Sequence, residues 1–305
     1  MNKKCLLCES INWNKYCEIE NGKYKVLICK ECSFTTLSPI PTDNELNEFY
    51  SKQYRDQYSN QDEVSDEVVA YEQLRADRVV EVVNDYYDSN YKNILDIGCS
   101  RGTLLKNISK LSKQSIPHGI EMNDKYRNFI IENNIANKKN ISNDDINSYY
   151  KEREEKFDFI SIVHVLEHLR NPKETLESIH KLLSTKGKLF IEVPNLKTPY
   201  NNLRTRYFAM YHLYNFTEYT LRKLLIDSGF KILKEKQIAG TSICFICEKE
   251  TIFHNKKEYD KNEYLKVIRI LNRYELLYPL QKLRLILIGI LDFLGIKNFI
   301  KSILR

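Results

Sequence analysis

The chain has 305 residues, of which 42% are hydrophobic and 29% are charged, a composition typical of globular proteins rather than of disordered chains. Its net charge of +6 is carried by residues 251–305, so the remainder is neutral overall. A neutral body argues against a protein that wraps nucleic acid over its main surface. The start of the chain lacks a leader pattern, and no apolar run approaches the roughly 18 residues of a membrane-spanning helix, so we expect a cytoplasmic protein.

Two Cys-x-x-Cys pairs lie in the first 32 residues, Cys5 with Cys8 and Cys29 with Cys32. In an intracellular chain this spacing is typical of a tetrahedral zinc site, in which each pair directs two thiolates at one ion. Since all four ligands are cysteines, no coordination position remains for catalysis. We therefore predict a structural zinc in a module that spans residues 1–40, where metal binding supplies much of the folding free energy.

Residues 41–75 form a linker that is rich in tyrosine and has a helical pattern. Tyr50, Tyr54 and Tyr58 recur at every fourth residue, which places them in one stripe on a helix. This stripe either packs against the next domain or forms a lid that places a phenol over a pocket.

Strand-like and helix-like patterns alternate through residues 76–250. The strand-like runs are NILDI, HGIEM, FDFISIV and GKLFIEV. Alternation of this kind predicts an α/β fold with a mostly parallel, Rossmann-like sheet covered by helices on both faces. The last two strand-like runs are joined so closely that we expect them to form an antiparallel hairpin.

The stretch NILDIGCSRGTLL, residues 93–105, carries a strand into a turn that opens a helix. Asp96 precedes the turn, Gly98 and Gly102 lie within it, and Ser100 stands where a dinucleotide fingerprint has another glycine. In open α/β sheets the cofactor lies across the carboxyl ends of the strands. The turn therefore predicts a nucleotide pocket.

Acidic residues follow the next strands of the predicted sheet. Glu121 follows HGI at about the distance expected of an acid that binds ribose hydroxyls, and Met122 beside it could lie against a purine face. Asp145 lies at the next loop, in the segment NDDINSYY, where a carboxylate could accept a hydrogen bond from an adenine amino group.

These motifs, followed by HVLEHLRNP from His164, resemble the class I S-adenosylmethionine-dependent methyltransferases. The resemblance covers about residues 75–250 and implies that Gly98 and Gly102 let the backbone approach the amino-acid end of the donor, whose amino group Asp96 holds. It further implies that Glu121 binds the ribose. The remaining roles that it implies are adenine contacts for Met122, Asp145 and Ile146, and a position near the sulfonium for His164.

A zinc module, a Tyr-rich linker and a donor-binding domain in this order resemble bacterial methyltransferases that act on nucleotide-linked sugars. In that group the segment before the last helix faces the substrate, and here it reads YFAMYHLYNFTEYTL. The resemblance implies that His212 is the catalytic base and that Tyr207 and Tyr211 assist it, although His212 could instead pack at the helix start. It also implies a carbohydrate-type small-molecule acceptor, such as a nucleotide-sugar or glycan intermediate. The short region after residue 250 favours oxygen or nitrogen over carbon as the methylated atom.

Three alternatives remain open at this point. Glu167 and His168, with His164, could bind a divalent cation, as in some methyltransferases that act on catechols or RNA ends, or this loop could simply cap the sheet. The chain could methylate rRNA or another nucleic acid, which its neutral body disfavours. It could also be a non-catalytic zinc-scaffolded binding protein.

Residues 251–305 are predicted to be a basic, amphipathic helical extension that Pro279 breaks in two. The extension could pack on the body or on a second subunit. It could also lie on an anionic membrane surface and hold the protein at the inner face of the membrane.

Overall fold

A computed structural model of the chain describes residues 3–49, 65–151, 154–238, 240–250 and 258–293. The predicted tyrosine stripe of Tyr50, Tyr54 and Tyr58 lies outside these residues.

The described part of the chain contains eleven strands and eight α-helices that we label in chain order. The strands are β1 (Trp13–Ile19), β2 (Tyr24–Cys29), β3 (Thr35–Ser38), β4 (Asn93–Ile97), β5 (Ile116–Ile120), β6 (Ile141–Ser142), β7 (Phe157–Val163), β8 (Leu183–Pro194), β9 (Tyr214–Asn215), β10 (Phe230–Ile238) and β11 (Ser242–Lys249). The helices are α1 (Asp43–Glu48), α2 (Asp66–Val83), α3 (Thr103–Ser109), α4 (Asp124–Glu132), α5 (Ile146–Lys151), α6 (Pro172–Leu182), α7 (Glu218–Asp227) and α8 (Asn262–Phe293).

A small antiparallel sheet has the strand order β1-β2-β3-β9. The turn between β1 and β2 needs left-handed backbone at Glu20, Asn21 and Gly22, which suits the asparagine and the glycine. The fourth strand, β9, comes from the region just before α7 and pairs with β3. The small sheet therefore contains two residues of the segment that the sequence predicts to face the acceptor.

The large sheet has seven strands in the order β10-β11-β8-β7-β4-β5-β6. The strands from β8 to β6 are parallel, while β11 runs antiparallel to both of its neighbours. This arrangement confirms the mostly parallel α/β sheet and the antiparallel terminal hairpin. The order reverses at β4, which lies between β5 and β7, and ligands of open α/β sheets bind at the carboxyl ends of the strands beside such a reversal.

The first half of α8 packs on the small sheet. Val267 and Leu271 are fully buried in a cluster with Ile28 and Leu37. Tyr16 also donates a hydrogen bond to Glu275 from β1. This part of the predicted extension is therefore covered by the body of the protein.

Pro279 does not break the C-terminal helix, contrary to the sequence-based expectation, because α8 continues through it to Phe293. Pro279 is exposed, so water can hydrogen-bond the carbonyl group that has no N–H partner at this position. Within the described residues, no helix is both long enough and apolar enough to cross a membrane.

Candidate active site

The turn after β4 has left-handed backbone at three positions. The φ angles are +71° at Gly98, +48° at Ser100 and +75° at Gly102. A Cβ atom on Gly98 would lie 2.4 Å from Cγ2 of Val165, so the turn is pressed against the segment that follows β7. Ser100 adopts the conformation that glycine favours, which explains why a glycine is expected at this position.

Glu121, directly after β5, closes the turn from the other side. Its carboxylate accepts hydrogen bonds from the backbone N–H groups of Ser100 and Asn123, each at 2.8 Å. Burial raises the pKa of Glu121, although these hydrogen bonds oppose the shift. The neighbouring Met122 is 69% exposed. Glu121 therefore lies beside the glycine turn, as the sequence predicts, with an accessible apolar side chain next to it.

Asp96 is almost completely buried at the end of β4, with 3% of its surface exposed. It accepts a hydrogen bond of 2.7 Å from the hydroxyl group of Ser161 on β7. Burial raises the pKa of Asp96 to about 7, while the nearby positive charge of Arg75 opposes the shift. Arg75, from α2, also donates to the carbonyl oxygen of Val163. Neither Arg75 nor Ser161 was found from the sequence.

Asp145 and Ile146 lie where α5 begins, next to the end of β6. The exposed Asp145 carboxylate accepts hydrogen bonds from the backbone of Asn147 and from Ser148 at the start of the helix, which lowers its pKa. Ile146 is buried in the core and only 4% exposed. These contacts stabilise α5 locally, and the adenine contacts of both residues stay predictions.

His164 follows β7 and has a left-handed backbone with a φ of +54°. Its Nε2 lies 3.1 Å from a carboxylate oxygen of Glu192 on β8, and its Nδ1 lies 3.5 Å from Glu167. Burial alone would lower the pKa of His164, but the neighbouring carboxylates of Glu167 and Glu192 raise it overall. Glu192 could not be identified from the sequence, because the partner of an acid inside an apolar strand is known only from the folded chain.

Glu167, His168 and His212 converge beside this histidine. One potential ligand atom of each lies within 4.8 Å of the others. Glu167 is buried with 2% of its surface exposed, and its pKa is lowered to about 2 by His164 and by the neighbouring histidines, against the effect of burial. Burial and the charge of His168 lower the pKa of His212 to about 4. At neutral pH the cluster therefore has an ionised carboxylate and a neutral His212.

Tyr211 and Tyr207 lie next to this cluster. The ring of Tyr211 stacks on Phe49 with a centroid separation of 4.6 Å and also on His168. Tyr207 is 2% exposed, and its hydroxyl has no hydrogen-bond partner among the residues that the structure describes. Both tyrosines are thus near His212, and their catalytic roles stay predictions.

The four predicted metal ligands, Cys5, Cys8, Cys29 and Cys32, form one cluster. Sγ of Cys5 lies 3.6 Å from that of Cys32, and Sγ of Cys8 lies 3.5 Å from that of Cys29. Thiolates around one tetrahedral zinc ion are about 3.8 Å apart, because each Zn–S bond is about 2.3 Å long. The spacing therefore fits a metal ion at the centre.

The two cysteine pairs share one backbone geometry. In each pair, the N–H of the first cysteine donates to the carbonyl oxygen of the residue five positions later, and the carbonyl oxygen of that cysteine accepts from the N–H of the residue four positions later. The first cysteines are Cys5 and Cys29, and the N–H groups that donate to them belong to Glu9 and Ser33. Glu9 and Ser33 also share a left-handed φ, of 63° and 61°. The two equivalent turns therefore direct four thiols at one point, an arrangement that could hold a metal ion.

Residues 68–235, more than half of the chain, match a protein family described as a methyltransferase domain. Over 113 residues the chain is 28% identical to the mitochondrial ubiquinone biosynthesis O-methyltransferase of Dictyostelium discoideum, covering 34% of this chain and 35% of that protein. Over 110 residues it is 34% identical to the ubiquinone biosynthesis O-methyltransferase of Glaesserella parasuis, covering 34% and 46%. The chain thus spans less than half the length of these curated relatives.

Similar solved structures include two methyltransferases. Magnesium protoporphyrin IX methyltransferase from Synechocystis PCC 6803, with bound S-adenosylmethionine, is 15% identical, with a TM-score of 0.49 over 70% of this chain and 99% of that one. An S-adenosylmethionine-dependent methyltransferase from Clostridium acetobutylicum is 13% identical, with a TM-score of 0.46 over 68% and 98%.

Proposed function

The chain belongs to the methyltransferase-domain family, and from this premise we propose that it transfers a methyl group from S-adenosylmethionine to a hydroxyl oxygen of a small acceptor. The observation that carries the proposal is the meeting of two groups of residues at one edge of the large sheet. The glycine turn and Glu121 form the donor end, and the cluster of Glu167, His168 and His212 forms the acceptor end. Val165 joins the two, because it contacts Gly98 and lies between His164 and Glu167 in the chain.

At the donor end, the residues of the chain bind and orient. Glu121 would exchange its hydrogen bond with the Ser100 N–H for the ribose hydroxyls, and the exposed Met122 would cover the purine. Asp96 and His164 would lie near the amino group and the sulfonium. The donor supplies a sulfonium leaving group, so alignment of the acceptor oxygen with the methyl carbon contributes much of the rate.

At the acceptor end, a hydroxyl group must lose its proton as its oxygen is methylated. His212 is neutral near pH 7 and can accept a hydrogen bond from that hydroxyl. We assign Tyr211 and Tyr207 to the wall of the acceptor pocket, where stacking on Phe49 holds the Tyr211 ring in place. Because its pKa is low, His212 is a weak base. The strength of its hydrogen bond with the acceptor hydroxyl therefore depends on the neighbouring Glu167 and His168.

A carbohydrate-type acceptor is the first candidate. The zinc-module arrangement favours it, and a nucleotide-sugar offers the hydroxyl groups that the acceptor end requires. A catechol-type phenol is the second candidate, favoured by the two curated relatives, which are named for ubiquinone biosynthesis O-methylation. Both candidates are small molecules with neighbouring oxygens.

For the other parts of the chain we propose a structural zinc on the four cysteines, which would stabilise the small sheet and so hold β9 and the acceptor segment. The division into a zinc module (1–40), a linker (41–75), a donor-binding domain (76–250) and an extension (251–305) is proposed as the functional layout. Contact of the extension with a membrane surface or a second subunit stays a prediction.

The test is transfer of an isotope-labelled methyl group from S-adenosylmethionine to a panel with two arms, nucleotide-sugars and catechol-type phenols. We expect an O-methylated product in one arm, and we expect His212→Ala to lower kcat while His180→Ala, a change on α6, has no effect. Donor binding without transfer to either arm would refute the acceptor classes. Methylation of carbon or nitrogen would refute the oxygen assignment.

A further inference from the structure

The C-terminal helix α8 has two apolar faces. Val267 and Leu271 are fully buried against the small sheet. Leu276, Leu280 and Leu283 are 77%, 64% and 54% exposed, and their spacing of four and three residues places them in one stripe along the helix, here called the leucine stripe. Leu276 follows the buried Val267 by nine residues, about two and a half turns of helix, so the leucine stripe lies on the opposite side of α8. The small sheet therefore cannot cover it.

Contacts with the body of the protein fix the orientation of the leucine stripe. Near the start of α8, the carboxylate of Glu263 lies 2.7 Å from Nζ of Lys197. Further along the helix, Glu275 accepts hydrogen bonds from Nε of Arg204 at 2.6 Å and from the hydroxyl group of Tyr16 at 3.2 Å. Because the helix is held at two separate points, it cannot turn to bury the leucines, and the stripe faces outward.

The charges of α8 are divided between its two sides. The two acids named above are paired with the body, whereas Arg269 and Arg273 precede Leu276 by seven and three residues and so lie on the side of the leucine stripe. Both arginines are exposed, and neither forms an ion pair with any residue that the structure describes. Residues 276–305 add five basic residues and one acid. The outward side of α8 is therefore both apolar and basic.

We propose that the leucine stripe binds the surface of an anionic phospholipid membrane, with α8 lying along that surface. Helices that bind in the interface between headgroups and acyl chains combine an apolar face with basic side chains. The acyl chains take the leucines out of water, while the anionic headgroups attract Arg269 and Arg273. Within the described residues no helix could cross a membrane, so the contact is with one surface only. This contact does not depend on the proposed function.

A second copy of the chain fits the leucine stripe less well. In a symmetric dimer the same patch of both copies forms the contact. Pairing of two stripes would gather the exposed basic side chains Arg269, Arg273 and Lys282 of both copies around one interface, and like charges that are brought together repel. Anionic headgroups neutralise the same charges. The charge of α8 therefore favours a lipid surface.

The first test is co-sedimentation of the full, zinc-loaded chain with vesicles of phosphatidylcholine, either alone or mixed with phosphatidylglycerol. We expect binding to the anionic vesicles to be at least about tenfold tighter than to the neutral ones, and to weaken as salt is added. Leu276→Gln and Leu280→Gln should each weaken this binding at least about tenfold, because each removes an apolar side chain from the bilayer and leaves the charge unchanged. Leu74→Gln, at a leucine of α2 that is 49% exposed, is the matched control and should bind as the native chain does.

The basic side chains have a separate readout. Arg269→Gln combined with Arg273→Gln should weaken binding to the anionic vesicles at least about tenfold, because attraction to anionic lipid is lost with each charge. Binding to the neutral vesicles should stay the same. An equal effect on both kinds of vesicle would overturn the part that assigns an anionic surface.

Urea unfolding of the same samples separates loss of the contact from loss of the fold. All the substituted residues are exposed, so the free energy of unfolding should stay close to that of the native chain. Vesicle binding that both leucine variants lose, and that Leu74→Gln keeps, supports the membrane contact. Absence of binding to anionic vesicles, or equal binding by the leucine variants and the native chain, overturns it. A dimer in sedimentation equilibrium that both leucine substitutions dissociate, without vesicle binding, also overturns it and assigns the leucine stripe to a second copy.

Discussion

Gly98 contacts Val165, which precedes the proposed acceptor end in the chain, and replacement of this glycine tests the contact. In Gly98→Ala the new methyl group would lie 2.4 Å from Val165, and the residue would keep a φ of +71°. Left-handed backbone costs a residue with a Cβ about 1–2 kcal/mol. Overpacking of Val165 adds about 1–3 kcal/mol, so we expect the free energy of unfolding to fall by about 2–5 kcal/mol.

Gly240→Ala is the matched control, because Gly240 has a φ of +75° but no atom within 4 Å of the position of a Cβ. It should cost only the backbone part, about 1–2 kcal/mol. Urea unfolding measures the free energy of unfolding of both variants. In the double variant that combines Gly98→Ala with Val165→Ala, the loss of this free energy should be smaller than the sum of the two single losses by at least about 1 kcal/mol. Equal losses in Gly98→Ala and Gly240→Ala, or no coupling with Val165→Ala, would refute the proposed contact.

Three further predictions address the metal cluster, the buried acid and the C-terminal helix. Cys8→Ser should abolish zinc retention in a metal assay and destabilise the small sheet. Cys17→Ala, at a buried cysteine outside the cluster, should retain zinc. Retention of zinc by both variants would count against the site. Burial raises the pKa of Asp96 to about 7, so between about pH 4 and pH 7 the folded chain holds a proton that the unfolded chain has released, and the free energy of unfolding falls as the pH rises. Asp96→Asn should remove up to about 4 kcal/mol of this pH dependence in urea unfolding. An unchanged dependence on pH in the variant would contradict the prediction. Leu271→Ala, at a fully buried residue, should lower the free energy of unfolding by about 2–5 kcal/mol. Leu276→Ala, at a residue that is 77% exposed, should change it by less than about 0.5 kcal/mol. Similar losses in the two variants would show that α8 is not packed on the small sheet.

Several features could be predicted from the sequence because they depend on local patterns. Alternation of strand-like and helix-like runs predicted the parallel sheet and its terminal hairpin, both of which the structure confirms. The glycine turn and the acids after the strands resemble those of class I methyltransferases, and the family match confirms the methyltransferase domain that this resemblance implies. The spacing of the cysteines predicted one four-cysteine cluster, and the thiols do converge.

The parts that escaped prediction depend on contacts between distant segments. β9 completes a sheet whose other strands lie in the first 38 residues, and nothing in its two residues indicates that pairing. Arg75 reaches the site from an outer helix, and Glu192 reaches it from a central strand. Neither the 3.6-residue period of a helix nor the 2-residue period of a strand distinguishes these two residues from their neighbours in the sequence. Pro279 was expected to end a helix, yet its exposed position lets α8 continue.

The central claim, a methyl-donor site at the carboxyl ends of β4 and β5, is tested most directly by calorimetry with the zinc-loaded protein. We predict that S-adenosylmethionine and S-adenosylhomocysteine bind, that NAD does not, and that Glu121→Ala weakens both sulfur ligands at least about tenfold through loss of charged hydrogen bonds. Glu132→Ala, which removes an exposed acid at the end of α4, should bind them as the native chain does. Absence of binding to either sulfur ligand, or equal effects of the two variants, would contradict the donor site and favour a zinc-scaffolded binding protein instead.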